Sequence, residues 1–361
     1  LILGGKIIWR ALDNEQVDGI IYRAATVHDS SNVLKATLRV SESVQVLLDG
    51  TSPTQVDQWV SGNSLETTTK GHGGDDFMSH SLGADTLDGG NGNDTADYSN
   101  QPANVYVNLT DNSTAASLGN FTVAKGTAID GYGKVDTLVN IENVRTGSGD
   151  DHVLGSADAN RIVTNDGSDT ISGGDGNDTI VAGADYDSID GGAGNDWIDA
   201  GAGHDSATGG TGNDTLRGGA GNDTLSGGDN DDIVDYGGQS QGVIVNLSGA
   251  LAYGVAMGTA DDGLGGIDTL TGFEGITGSS GNDTLLGGSA SETIDGGAGA
   301  DVIKAGAGND SIVYDHGDIS VQGGDGTDTL LINDIDQDLR PLWDRPEISG
   351  IEKIVLNAES P

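Results

Sequence analysis

Residues 173–235 read GGDGNDTIV, AGADYDSID, GGAGNDWID, AGAGHDSAT, GGTGNDTLR, GGAGNDTLS and GGDNDDIVD, seven nonads without a slip. The sixth position is Asp at 169, 178, 187, 196, 205, 214, 223 and 232, and stepping back by nines meets Asn160 and Asp151. The eighth position is aliphatic throughout, from Val153 through Ile162, Ile171, Ile180, Ile189, Ile198, Ala207, Leu216 and Leu225 to Val234. A period this strict is the mark of a stacked repeat. The glycines supply the positive φ of tight turns and leave backbone carbonyls unshielded. The three residues after each Asp form a short strand with its central aliphatic side chain turned inward. Two nonads make one coil of a flattened spiral, so turns 18 residues apart stack on the same edge.

Stacked turns bring Asp carboxylates and peptide carbonyls around a common gap. An all-oxygen shell of about six or more ligands suits calcium, whereas magnesium prefers to keep its waters and transition metals prefer nitrogen or sulfur.

Composition agrees. The 361 residues include 62 Gly, with 4% aromatic and 34% hydrophobic residues, too few large apolar groups to offset backbone ordering by core burial alone. The net charge is -42. Residues 1–70 hold eight acids and six bases, so the other 291 residues hold 49 of the 57 acids and nine of the 15 bases. Such a field repels nucleic acid and anionic membrane and invites cations. No cysteine is present, which excludes disulfides and thiolate metal sites. No apolar run is long enough to span a membrane. The chain begins at Leu1 without a secretion signal and is expected to be a fragment of a longer protein.

A second run has sixth positions Asp283, Glu292, Asp301, Asp310, Ile319 and Asp328. A weaker run near Asp75, Asp85 and Asp94 reads as carrying one inserted residue. Two longer segments interrupt the nonads and match each other. The first holds Asp97-Tyr98, VYVNL at 105–109, Asp136-Thr137-Leu138 and Ile141-Glu142. The second holds Asp235-Tyr236, VIVNL at 243–247, Asp268-Thr269-Leu270 and Phe273-Glu274. A third, partial copy is expected at the end, where Asp328-Thr329-Leu330 precedes Ile351-Glu352 and KIVL at 353–356. Glu142, Glu274 and Glu352 read as structural carboxylates that accept turn amides or complete a cap. Residues 1–70, with strand candidates LILGGKIIW, GIIYRAA, VLKATLRV and VQVLL, read as a small β-sandwich-like piece or a cap on the roll.

The pattern G-G-x-G-x-D-x-U-x resembles the RTX family of type I-secreted bacterial proteins, and the interrupting segments resemble its split modules. The resemblance spans roughly residues 70–361. It implies an all-β fold, a right-handed parallel β-roll with split-repeat insertions and a small N-terminal β region. It also implies multiple calcium ions along both edges. By position, one edge would carry Asp151, Asp169, Asp187, Asp205 and Asp223, and the other Asp178, Asp196, Asp214 and Asp232, beginning at Asn160. The second run would pair Asp283 with Asp301 and Asp310 with Asp328, the weaker run would add Asp75 and Asp94, and Gly173, Gly191, Gly209 and Gly218 would contribute through the turns. Asn160 and Glu292 depart from the pattern, so calcium there is expected to be weak or displaced, and the Ile319 site is expected to be empty.

The expected organisation is therefore an N-terminal β region at 1–70, a short run with the first insertion at 71–148, the main roll at 149–234, the second insertion at 235–278, a second roll at 279–331 and a cap at 332–361. None of the six histidines forms a zinc-protease motif. The string Gly238-Gln239-Ser240-Gln241-Gly242 matches a nucleophile elbow only in letters, because a strand candidate follows it where a helix is required. The expectation is a noncatalytic extracellular structural protein of a surface layer, matrix or adhesin, folding on calcium after type I secretion. Its expected partners besides calcium are other copies of itself or cell-surface polysaccharide. The competing expectation is the C-terminal carrier domain of a secreted protease, lipase or alginate epimerase.

Overall fold

The computed structural model describes residues 34–37, 44–47, 56–59, 66–71, 73–110, 115–315, 317–333 and 348–356, the first three stretches as backbone only. They fall in two compact units, Leu1–Gly174 and Asp175–Pro361. Among the described residues there are strands and turns and no helix.

The second unit shows the repeat in its plainest form. Thr179–Ala184 pairs in parallel with Trp197–Gly203, and that strand with Thr215–Gly221, each match 18 residues apart. On the opposite sheet Ser188–Ala193, Ser206–Thr211 and Thr224–Asp229 stack at the same interval. Two nonads thus close one coil, one strand in each sheet. Where a strand spans the seventh to ninth positions the eighth is sealed, alone in Thr86–Asp88 and together with the ninth in Thr95–Asp97 and Ile233–Asp235. Ile180, Ile198, Leu216, Leu225 and Val234 are fully buried. The core is a stack of single aliphatic side chains, one per nine residues, so the edges must carry much of the cohesion.

The turns depend on glycine where φ is positive. Gly192 and Gly194 sit at 111° and 132°, and a Cβ at Gly201 would strike the backbone of Gly183. Where the repeat lacks glycine at the fourth position, Asp185 (φ 80°) and Asn230 (φ 88°) take over, side chains that tolerate this region best.

Both interrupting segments fold in one way. In the first unit the chain leaves Thr95–Asp97 and crosses to the other sheet as Tyr106–Asn108, in parallel with His152–Leu154. It then turns back as Thr127–Ile129, antiparallel to Tyr106–Asn108, and forward again as Val135–Val139, in parallel with Thr86–Asp88. The second unit repeats this with Ile244–Asn246, Thr259–Asp261 and Ile267–Thr271. Each insertion advances past two strand places and fills them on the way back. Asp97-Tyr98 and Asp235-Tyr236 mark its start because the tyrosine is the plug. Tyr98 and Tyr236 are fully buried and donate their hydroxyls to Asp136 Oδ2 at 3.1 Å and Asp268 Oδ2 at 2.9 Å.

Four expectations change. The weaker run has no inserted residue: Asp76, Asp85 and Asp94 are nine apart, Asp76 is buried, and its N–H donates to Asp94 Oδ1. Asp75 is the exposed neighbour at the fifth position, accepting the Asn93 N–H. Of the two readings of residues 1–70, a sandwich-like piece or a cap on the roll, the first gives way. The described strands pair in parallel, Leu34–Thr37 with Val56–Trp59 and Val44–Leu47 with Thr67–Lys70, at spacings of 22 and 23. LILGGKIIW and GIIYRAA lie outside the described residues. The terminal copy is aligned differently. Asp328 donates its N–H to Glu352, as Asp94 does to Glu142 and Asp232 to Glu274, so its counterparts are Asp94 and Asp232 rather than Asp136 and Asp268. Finally, Ile319 is 54% exposed while Asp318 is buried beside Asp301. Here Asp301 O accepts N–H groups from both Ile319 and Ser320, a local bulge that moves the carboxylate forward by one residue.

Candidate metal sites

Along each edge one hydrogen bond recurs. The N–H of each sixth-position residue donates to the Asp one coil later: Asp178 to Asp196 Oδ1 (2.7 Å), Asp196 to Asp214 (2.8 Å) and Asp214 to Asp232 (2.7 Å). On the other edge Asp187 donates to Asp205 and Asp205 to Asp223, both at 2.9 Å. In the first unit Asp151 donates to Asp169 at 2.7 Å. Asp283 joins Asp301, Glu292 joins Asp310, and Asp310 joins Asp328.

This spends one carboxylate oxygen and leaves the other. Oδ2 of Asp94, Asp196, Asp205, Asp214 and Asp232 is buried with no hydrogen-bond partner. Four of them face the bare first glycine of their own nonad, Asp94 at Gly89, Asp196 at Gly191, Asp214 at Gly209 and Asp232 at Gly227, while the nonad of Asp205 opens with Ala200. A Cβ at Gly191 would lie 2.5 Å from Asp196 Oδ2 and 2.6 Å from the Gly209 carbonyl oxygen; at Gly218 it would lie 2.6 Å from Asp223 Oδ2. At Gly209 it would press on Asp214 Oδ2. The Gly173 carbonyl stands likewise against Gly155. Glycine at this place keeps open a cradle into which a carboxylate oxygen and a carbonyl of the next coil converge.

Burial without a counter-charge disfavours the ionised form. It raises Asp196 and Asp151 to about 7, and Asp205, Asp232, Asp94 and Asp301 to about 6. Asp214, Asp223, Asp283 and Asp310 move in the same direction for the same reason. Buried, stacked acids with orphaned oxygens and only oxygen neighbours fit a hard divalent cation. The residues that would hold it are the Asp Oδ2 atoms and the first-glycine carbonyls.

At the two departures from the pattern, side-chain contacts partly fill the cradle. Asn160 accepts the Ser156 N–H through Oδ1 and donates through Nδ2 to the Glu142 carbonyl at 2.7 Å, so a neutral amide bonds the carbonyl a cation would otherwise bind. Glu292 folds its longer side chain onto its own turn, accepting N–H groups from Gly288 and Ala290 at 3.1 Å.

Sequence reading missed carboxylates that share this register. Asp136 accepts the Asp85 N–H at 2.7 Å and Asp268 the Asp223 N–H at 3.1 Å, although 51 and 45 residues separate the partners. Burial raises them to about 8 and about 7. The Asp-Thr-Leu triplet they share with the nonads was the available signal. Glu142, Glu274 and Glu352 do accept turn amides. His204 is an exposed turn residue stacked on Tyr186, whereas His80 is enclosed, and burial lowers its imidazole below the ordinary value against the opposing pull of Asp130 and Asp85.

Comparison with known proteins agrees with this geometry. The RTX calcium-binding nonapeptide repeat (4 copies) matches residues 70–98, 145–180, 172–207, 208–240 and 286–318. No curated protein matches the chain.

Proposed function

This chain is an RTX calcium-binding repeat protein, and from that premise we propose that it is a noncatalytic extracellular structural component, exported by a type I system and folded by calcium outside the cell. The observation that carries the reading is the row of buried carboxylate oxygens without hydrogen bonds, opposite glycines that leave room for an ion. When bound, calcium supplies the positive charge that these acids lack. The chain supplies the rest: short strands that set the 18-residue spacing, amides that orient one oxygen of each Asp, and turns that aim carbonyls at the other.

In a compartment poor in calcium, a charge of -42 keeps the chain expanded and threadable. In a calcium-rich medium, ion binding becomes folding free energy. A rigid roll with both edges built this way suits a surface layer, matrix or adhesin. The nucleophile-like string supports no other reading: Ser240 lies in the turn before Ile244–Asn246, where the next element is a strand.

Antibody labelling of source cells, imaged with and without a calcium chelator, tests the role. Surface label that is shed on chelation supports a calcium-held structural component. Label confined to the cytoplasm, or an associated hydrolase or epimerase activity that copurifies with the full-length product, would overturn it.

A further inference from the structure

The two split modules share almost every buried polar residue. Asp85, Tyr98, Gln101, Asp130 and Asp136 in the first correspond to Asp223, Tyr236, Gln239, Asp262 and Asp268 in the second. One position differs in kind. The second module opens its nonad with Gly218; the first has His80. An imidazole therefore occupies a place that most nonads leave to glycine or alanine.

That imidazole is enclosed and aimed at acids. Its side chain is 6% exposed, and those of Asp130 and Asp136 are fully buried. Nδ1 lies 3.7 Å from Asp130 Oδ2 and 3.9 Å from Asp136 Oδ2. Neither His80 Nδ1 nor Asp130 Oδ2 has a hydrogen-bond partner. Single donor atoms of His80, Asp85 and Asp136 all fall within 4.8 Å of one another. The other ring nitrogen, Nε2, is 2.7 Å from the Gln101 amide nitrogen, while Gln101 Oε1 is buried without a partner. Turning that amide over gives Nε2–H an acceptor and leaves the Nδ1 lone pair for a metal. Oxygen-only cradles favour calcium; one neutral imidazole among carboxylates shifts preference to zinc and its neighbours. Tetrahedral bonds of about 2.0–2.2 Å set ligands roughly 3.4 Å apart. That is a few tenths of an ångström inside the 3.7 and 3.9 Å from Nδ1 to Asp130 and Asp136, while the group with Asp85, which spans up to 4.8 Å, would close further.

We infer that His80, Asp130 and Asp136, with Asp85, form a site for a borderline divalent transition metal in the first split module, where the second module keeps an all-oxygen cradle. Zinc is the probe. The full chain, held folded in saturating calcium, is titrated with zinc by calorimetry beside His80→Gly, which installs the residue the second module already accommodates. The expected result is one zinc equivalent bound by the parent and absent from H80G. Asp130→Asn should weaken that equivalent by tenfold or more. X-ray absorption of the parent carrying one zinc supplies a readout independent of either variant's folding, with a single imidazole in an otherwise oxygen shell. Equal zinc stoichiometry and affinity in parent and H80G, no zinc uptake at saturating calcium, or an absorption shell without imidazole would each overturn the site.

Discussion

The Asp178 N–H donates to Asp196 Oδ1 at 2.7 Å one coil away, while Asp196 Oδ2 stays buried against Gly191 without a hydrogen bond. One carboxylate thereby does two jobs. Its first oxygen registers consecutive coils, and its second is left where a cation could take it. The relation repeats along both edges, so the proposed ion binding would share its side chains with coil stacking.

Asp196→Asn separates those jobs. The amide oxygen can still accept the Asp178 N–H, but an NH2 group replaces the anionic oxygen in the cradle. The calcium midpoint for folding should rise by roughly tenfold or more, since ligand charge sets affinity in such sites. Asp190→Asn, at an exposed ninth position, should leave the midpoint within about twofold in the same titration.

Filling the cradle should also cost stability. A Cβ at Gly209 would press on Asp214 Oδ2 and lie 2.6 Å from the Gly227 carbonyl oxygen, whereas at Gly249 it would meet nothing within 4 Å. In calcium, Gly209→Ala should lower stability by about 1–2 kcal/mol, since Ala182 and Ala200 show that the same place can give way around a Cβ. Gly249→Ala should be close to neutral. Thermal melts of both variants decide it.

Acidity should stand in part for calcium. Burial raises Asp196, Asp151 and Asp268 to about 7 and Asp136 to about 8, from an ordinary value near 3.8. A carboxyl raised on folding favours the folded state fully below its ordinary value, and that contribution is lost as pH climbs through the folded one. Metal-stripped protein should therefore show more β signal by circular dichroism at pH 5.5 than at pH 8. Added calcium should stabilise more at pH 8, where fewer protons compete. A β signal of the stripped chain that rises with pH would contradict the assignment.

The tyrosine plugs should be equivalent. Tyr98→Phe and Tyr236→Phe each remove one buried hydroxyl from a carboxylate, at 3.1 Å and 2.9 Å. Each should cost about 1–3 kcal/mol in calcium. Denaturant unfolding that shows a loss in only one of them would mean the modules differ more than their matched residues indicate.

The roll was legible because its signal is periodic: an aliphatic every ninth residue can serve only a coil of fixed length. What escaped were features that break the period without erasing it. Gly-Gly-Asp-Asp at 73–76 offers two adjacent acids, and only burial selects Asp76 over Asp75. Asp136 and Asp268 reach the register through strands that double back, so their partners lie 51 and 45 residues away rather than 18. At Ile319 a bulge moves the carboxylate by one place to Asp318, a backbone event that no letter announces. His80 carried no signal in the sequence, because Asp130 and Asp136 lie near it only once the chain is folded.

Circular dichroism of the full, metal-stripped chain at pH 7.5, followed through a calcium titration and a parallel magnesium titration, tests most directly whether ions on buried carboxylates close these coils. The account predicts little β signal at the start, a cooperative rise with calcium that a chelator reverses, and no comparable rise with magnesium. A full β signal and an unchanged melting temperature in the stripped chain would contradict it.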